Sequence, residues 1–118
     1  MPNQIVNVRL DHLIDALEAR AKMSRAPDGS RSFRLREAAI QPINNTLNLA
    51  MPGKDIEVEI LSGHLSEEVI FPTKHLPELI KVLRSYTGEQ TEARLEISVD
   101  FIMFRCAGSR RTIPRIKP

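Results

Sequence analysis

Tryptophan is absent from this sequence of 118 residues, tyrosine occurs once and phenylalanine four times. The core must therefore be built from Leu, Ile, Val and Ala. The aromatic platforms on which single-strand binders stack bases are also missing. A lone cysteine, Cys106, excludes an intramolecular disulfide and every multi-cysteine zinc site. It falls in an apolar stretch, where an inert buried thiol is expected. The five glycines stand singly, so there is no glycine-rich phosphate loop. No apolar run reaches the ~20 residues that cross a bilayer. Met1-Pro2-Asn3 does not open the charged-then-apolar pattern of a secretory leader. No membrane contact is expected, and a cytoplasmic location is. Neither sign of charge dominates: 17 Lys and Arg face 15 Asp and Glu, for a net charge of +2. Contact with nucleic acid is permitted at that balance, but only through local clusters.

Catalytic and metal chemistry is equally thin. His12, His64 and His75 lack metal-ligand spacing with one another. Asp55, Glu57 and Glu59 lie two apart, which places them on one strand face like a metal-binding row, yet a solvent-facing strand produces the same pattern. No catalytic residue, metal ligand or cofactor is expected, and the chain is not expected to be an enzyme.

With 42% apolar and 27% charged residues, the chain has the composition of a globular domain, expected to span residues 1–118. Ile5, Val6 and Val8 suggest a strand ending near Arg9. Asp11 is placed to cap a helix, whose stripe of Leu13, Ile14, Leu17 and Ala21 runs to about Met23. His12, Asp15, Glu18, Arg20 and Lys22 are assigned to its other faces. Ala26-Pro27-Asp28-Gly29-Ser30 has loop chemistry. Period-two alternation from Phe33 predicts a strand to Ile40, turned by Pro42 and Asn44-Asn45. A second strand spans Thr46 to Met51, with Leu47, Leu49 and Met51 on one face. Asp55 to Leu61 alternates, with Ile56, Val58 and Ile60 inward, and stops at Gly63. A strand over Glu68 to Phe71 leads into a helix over 74–86, with Leu76, Leu79, Ile80 and Leu83 as its stripe and Pro77 in the first turn. Strands over Ala93 to Val99, Phe101 to Ala107 and Arg110 to Ile116 close the chain, with Gly108-Ser109 as the last hairpin turn. The order is β-α-β-β-β twice over, which predicts an α+β fold built by duplication, its two helices on one face of an antiparallel sheet.

That order, carried by particular residues, resembles one domain of the bacterial DNA sliding clamp, the β subunit of DNA polymerase III. Val8 to Leu17 looks like the clamp's opening strand and helix. Asn45-Thr46-Leu47-Asn48-Leu49 and Asp55 to Ile60 are similar to its third and fourth strands. Val69-Ile70-Phe71-Pro72-Thr73-Lys74, with Leu79-Ile80 and Leu83, resembles its passage into the second helix, and Leu95 to Ile116 its closing strands. The resemblance covers nearly the whole chain, most weakly over 24–44.

The resemblance implies a ring assembled edge to edge, with helices lining a hole through which duplex DNA passes, held at its phosphates without sequence reading. Carried onto this chain, the DNA-contacting cations are Arg20, Lys22 and Arg25 near the first helix, and Lys74, Lys81 and Arg84 on the second. Thr112, Ile113 and Ile116 of the last strand become the self-association edge, with the strand near Asp55 to Leu61 accepting it. Pro114 departs from a pairing edge, because it lacks a backbone donor. Asp15, Glu18 and Glu78 share the DNA-facing side. No counterpart of the clamp's client-peptide pocket is present. Self-association and duplex DNA are the expected partners. The alternative implied is a clamp-fold module that binds replication or repair proteins without encircling DNA.

Overall fold

A computed structural model describes residues 4–24, 37–50 and 55–116 of the chain. Strand β1 (Gln4–Arg9) leads directly into helix α1 (Leu10–Ser24). Strands β2 (Glu37–Ile43), β3 (Thr46–Leu49), β4 (Ile56–Gly63) and β5 (Val69–Pro72) follow. A 3-10 turn (Thr73–His75) then opens helix α2 (Leu76–Arg84), and β6 (Glu92–Ile97), β7 (Phe101–Cys106) and β8 (Ser109–Pro114) complete the fold. Among the described residues it is an α+β fold of two helices and one eight-stranded, wholly antiparallel sheet, in the order β5-β2-β3-β4-β1-β6-β7-β8.

The sheet nearly closes on itself. Its edge strands, β5 and β8, approach where the Ile116 N–H donates to the Ile70 carbonyl at 2.8 Å. The Arg115 guanidinium ties the same corner, donating to Glu67 Oε1 at 2.9 Å, to the Ser98 carbonyl at 2.6 Å and to the Glu68 carbonyl at 3.2 Å. On the far side β1 joins β4 over residues 60–63, with an irregular register between Asn7 and Val8. Gly63 makes this join possible: its φ is +78°, and a Cβ there would lie 2.2 Å from the Ile5 carbonyl oxygen.

Alternation places the core. Val6 and Val8 of β1, Ala38 and Ile40 of β2, Val58 of β4, Val69 and Phe71 of β5, and Ala93, Leu95 and Ile97 of β6 all face inward and are buried. Leu10, Leu13, Ile14, Ala16 and Leu17 of α1 meet Leu76, Leu79 and Leu83 of α2 in the same cluster. Each Val, Leu, Ile or Phe among them stabilises the fold by about 1.5–3 kcal/mol on burial. Phe71 and Phe104 pack edge to face with centroids 5.9 Å apart, bridging the β5 and β7 regions.

Three local expectations need correction. Helix α1 begins at Leu10, one residue before the proposed cap, because Leu10 is buried and its N–H bonds the Thr91 carbonyl at 3.0 Å. Asp11 thus sits within the first turn, accepting from the His12 N–H and from the Arg9 guanidinium at 2.6 Å. Pro42 does not end its strand. β2 runs on to Ile43 and turns at Asn44 and Asn45, whose φ values of 47° and 66° are those of a type I′ hairpin. Pro42 lies opposite Leu47, next to the hairpin's closing pair, so its missing N–H faces away from β3, beyond the end of β5 pairing. The last hairpin turns at Ala107-Gly108 rather than Gly108-Ser109, since Cys106 pairs with Ser109. The stretches expected at 26–30 and 33–36, and Met51, lie outside the described residues.

Candidate nucleic-acid interface

The six basic residues expected to meet DNA have separate fates. Lys22 at the end of α1, Lys74 in the 3-10 turn and Lys81 on α2 are exposed, and none has a carboxylate partner among the described residues. Arg84 is exposed too, but it forms an ion pair with Glu18 that bridges the two helices. Arg25 lies outside the described residues.

Arg20 does not lie on an exposed face of α1, where it was expected. It is 0% exposed, one of the largest fully buried side chains. It follows Leu17 by three residues and Ala16 by four, so it continues the apolar stripe rather than leaving it. Its Nη2 donates to the Glu37 carbonyl at 2.6 Å, fastening α1 to the start of β2. Burial pulls the guanidinium below its ordinary pKa.

The helix surface as a whole is balanced. The exposed or half-exposed cations Lys22, Lys74, Lys81 and Arg84 are matched by Asp11, Asp15, Glu18 and Glu78. Asp11 is itself neutralised by Arg9, whose hydrogen bonds hold the carboxyl below the usual carboxylate range and raise the guanidinium in return.

The proposed assembly edge also divides. Thr112 is exposed, but Ile113 is buried in its own chain's core at 2% exposure. Ile113 lies opposite Ile102 and shares its inward face, so it has no side chain to offer a neighbour. The Ile116 backbone is engaged by Ile70 of the same chain. What β8 does leave open is its stretch Ser109–Thr112, paired to β7 on one side only, with Arg110 and Arg111 exposed. Arg111 bonds Glu78 of α2 at 2.8 Å.

A second half-open edge lies on β4. There β1 covers only residues 60–63, and the Glu59 N–H is taken by His12 Nδ1 at 3.3 Å, so Ile56 to Val58 pair with β3 alone. Asp55, Glu57 and Glu59 project to solvent as the alternation predicts. Among the described residues no three His, Cys, Asp or Glu side chains are grouped to hold a metal.

A feature with no counterpart in the sequence reading lies on the sheet's solvent face. Arg94 of β6 is directly opposite Arg105 of β7, and Arg105 is directly opposite Arg110 of β8. Their neighbours in sequence, Ala93, Leu95, Phe104 and Cys106, are buried, so this row points away from the core. Arg94 Nε donates to Asn7 Oδ1 at 3.4 Å, and Asn7 donates in turn to Ser62 Oγ at 2.8 Å. Only the strand register reveals the row, because the three residues are spread over seventeen positions of sequence.

Cys106 is buried beside the Glu92 carbonyl, and burial pushes its thiol up, away from the reactive thiolate. No helix among the described residues is long and apolar enough to cross a membrane. No protein-family model matches the chain, and no curated protein is significantly similar to it.

Proposed function

We propose that this chain is a clamp-type module that assembles head to tail through its sheet edges and holds duplex DNA, without reading sequence, against its helix side. Support for the architecture comes from the strand order. The chain divides into two strand–helix–three-strand units, and each unit lends its first strand to the other: β1 lies beside β6, and β5 beside β2. The two joins are equivalent as well, β1 to β4 and β5 to the end of β8. Both helices then belong on one side, where α1 and α2 pack together.

The observation that carries the reading is the charge on the two half-open edges. The free part of β4 presents Glu57 and Glu59, with Asp55 just before it, and the free part of β8 presents Arg110 and Arg111, the latter also paired with Glu78 of its own chain. An acidic edge on one copy and a basic edge on the next are complementary, and such a head-to-tail contact generates a ring or a filament. Like edges repel, which selects against the symmetric pairing. On the helix side, Lys22, Lys74 and Lys81 give each copy up to three phosphate contacts. Binding would then fall with salt at a slope of about 0.9 per contact. Pro114 lies beyond the proposed contact, at the end of β8.

The deciding experiment is the mass in solution by light scattering, with and without duplex DNA at low salt. A multiple of the protomer mass that retains duplex DNA is expected. Glu57→Lys/Glu59→Lys and Arg110→Glu should each dissociate it, and mixing the two variants should restore a two-copy contact. A protomer that stays monomeric at tens of micromolar and ignores duplex DNA would refute the proposal. The balanced charge of the helix side favours a second reading in that event: a clamp-fold module that binds replication or repair proteins and does not encircle DNA.

A further inference from the structure

The described arginines sort into two groups. Arg9, Arg84, Arg111 and Arg115 each form an ion pair, with Asp11, Glu18, Glu78 and Glu67 respectively. Arg20 is buried against the Glu37 carbonyl. Three remain, Arg94, Arg105 and Arg110, with no carboxylate in ion-pair range among the described residues, and the register sets these three directly opposite one another. Like charges facing each other across strands destabilise a sheet. Among the described residues no ion pair offsets that repulsion.

We propose that the Arg94–Arg105–Arg110 row binds the phosphates of a nucleic-acid strand laid across β6, β7 and β8 on the solvent face of the sheet. Guanidinium forks pair bidentately with phosphate oxygens. Three strands at ~4.8 Å spacing make the row about 10 Å long, more than one phosphate ion bridges, so a ligand with successive phosphates fits it. Beside the row lies an open depression of about 320 Å³ whose lining includes Asn7, Gln90, Arg94, Arg105 and Gly108, with Glu92 as its one carboxylate. It has amide donors but no large apolar or aromatic side chain. Protein partners are anchored by such side chains, whereas a phosphodiester backbone needs only charge and donors. Glu92 and Glu96 flank Arg94 on the same face of β6 and partly offset its charge, so Arg105, flanked by the buried Phe104 and Cys106, is the centre of the row. The site faces away from the helices and shares only Arg110 with the proposed assembly edge, so Arg94 and Arg105 are the residues that test it separately.

The test is fluorescence anisotropy with a labelled single-stranded oligonucleotide at low salt. Arg94→Gln/Arg105→Gln is expected to weaken binding at least ~10-fold and to lower the salt slope by about 1.4, two contacts at ~0.7 each. Arg105→Lys, which keeps the charge and loses the fork, should fall between that variant and the parent. The double variant should melt no lower than the parent, since it relieves repulsion. Lys74→Glu/Lys81→Glu should leave this binding intact while abolishing duplex retention on the helix side, which separates the two proposals. Tripolyphosphate should compete more strongly than inorganic phosphate. The proposal is overturned if the double glutamine variant binds like the parent or if polyglutamate displaces the oligonucleotide as well as tripolyphosphate does. A protein that binds tripolyphosphate but not the oligonucleotide also overturns it.

Discussion

Replacing Gly63 by alanine tests the join between β1 and β4 at its tightest point. An added Cβ would lie 2.2 Å from the Ile5 carbonyl oxygen and 3.1 Å from both the Ile5 carbonyl carbon and Val6 Cα. All three are backbone atoms, so no side chain can swing aside. Gly88 is the internal control. Its φ of +93° is equally unfavourable for alanine, yet nothing lies within 4 Å of its Cβ position. Gly88→Ala therefore carries only the left-handed strain of about 1–2 kcal/mol, partly offset by about 0.4–1 kcal/mol of lost unfolded-state entropy. A net cost near 1 kcal/mol is expected. Gly63→Ala carries the same terms and must also push β1 away by roughly 1 Å. The pairing of Val6 with Gly63 is then lost, along with neighbouring ladder bonds that are worth about 1 kcal/mol each. A total of roughly 3–4 kcal/mol is expected. Urea denaturation of both variants gives the comparison directly, with equal m-values required for a like-for-like reading. If Gly63→Ala costs no more than Gly88→Ala, the close approach of β1 to β4 is wrong.

Three further outcomes are expected. Arg20→Ala should cost about 3 kcal/mol, from the lost bond to the Glu37 carbonyl and the space left by the buried stem, whereas Arg20→Met should recover most of it; equal losses in denaturation would show that the charge rather than the packing matters. Ala107→Gly should stabilise by about 1 kcal/mol, because Ala107 holds a φ of 52°, and a lower melting temperature would contradict that turn. Asp11 has a folded pKa below its ordinary value, so its contribution is full above the unfolded pKa of about 3.9 and disappears as pH falls through the folded one. Asp11→Asn should thus be less stable than the parent near neutral pH and match it at the acid end of a pH series; a gap that persists in acid would assign the effect to something other than ionisation.

The elements themselves were legible because their periods are clean. Ile56, Val58 and Ile60 alternate with Glu57 and Glu59, and Leu76, Leu79 and Leu83 recur at helical spacing, so facing followed from local pattern. Arg20 was missed because its chemistry argues for solvent while its position argues for the core; four residues after Ala16, position prevailed. The Asp11 cap failed by one residue, since the tertiary bond from Leu10 to Thr91 starts the helix early. Ile113 looked like an available edge hydrophobe until its pairing with Ile102 turned it inward. The arginine row is of another kind. No window along the chain contains it, because cross-strand neighbours are set by register, and register depends on where distant hairpins turn.

The position of β1 also bears on the order of events during synthesis. This first strand makes its full-length pairing with β6, Gln4 meeting Ile97 and Arg9 meeting Glu92. A nascent chain that has completed β1 to β5 still has one flank of its opening strand unsatisfied, and it waits for the last third to emerge. Folding is therefore committed late and is governed by long loop closures rather than by the first half settling alone. Until β6 arrives, Val6 and Val8 lie on an incomplete edge, and that interval is when the chain is most open to pairing with another copy of itself.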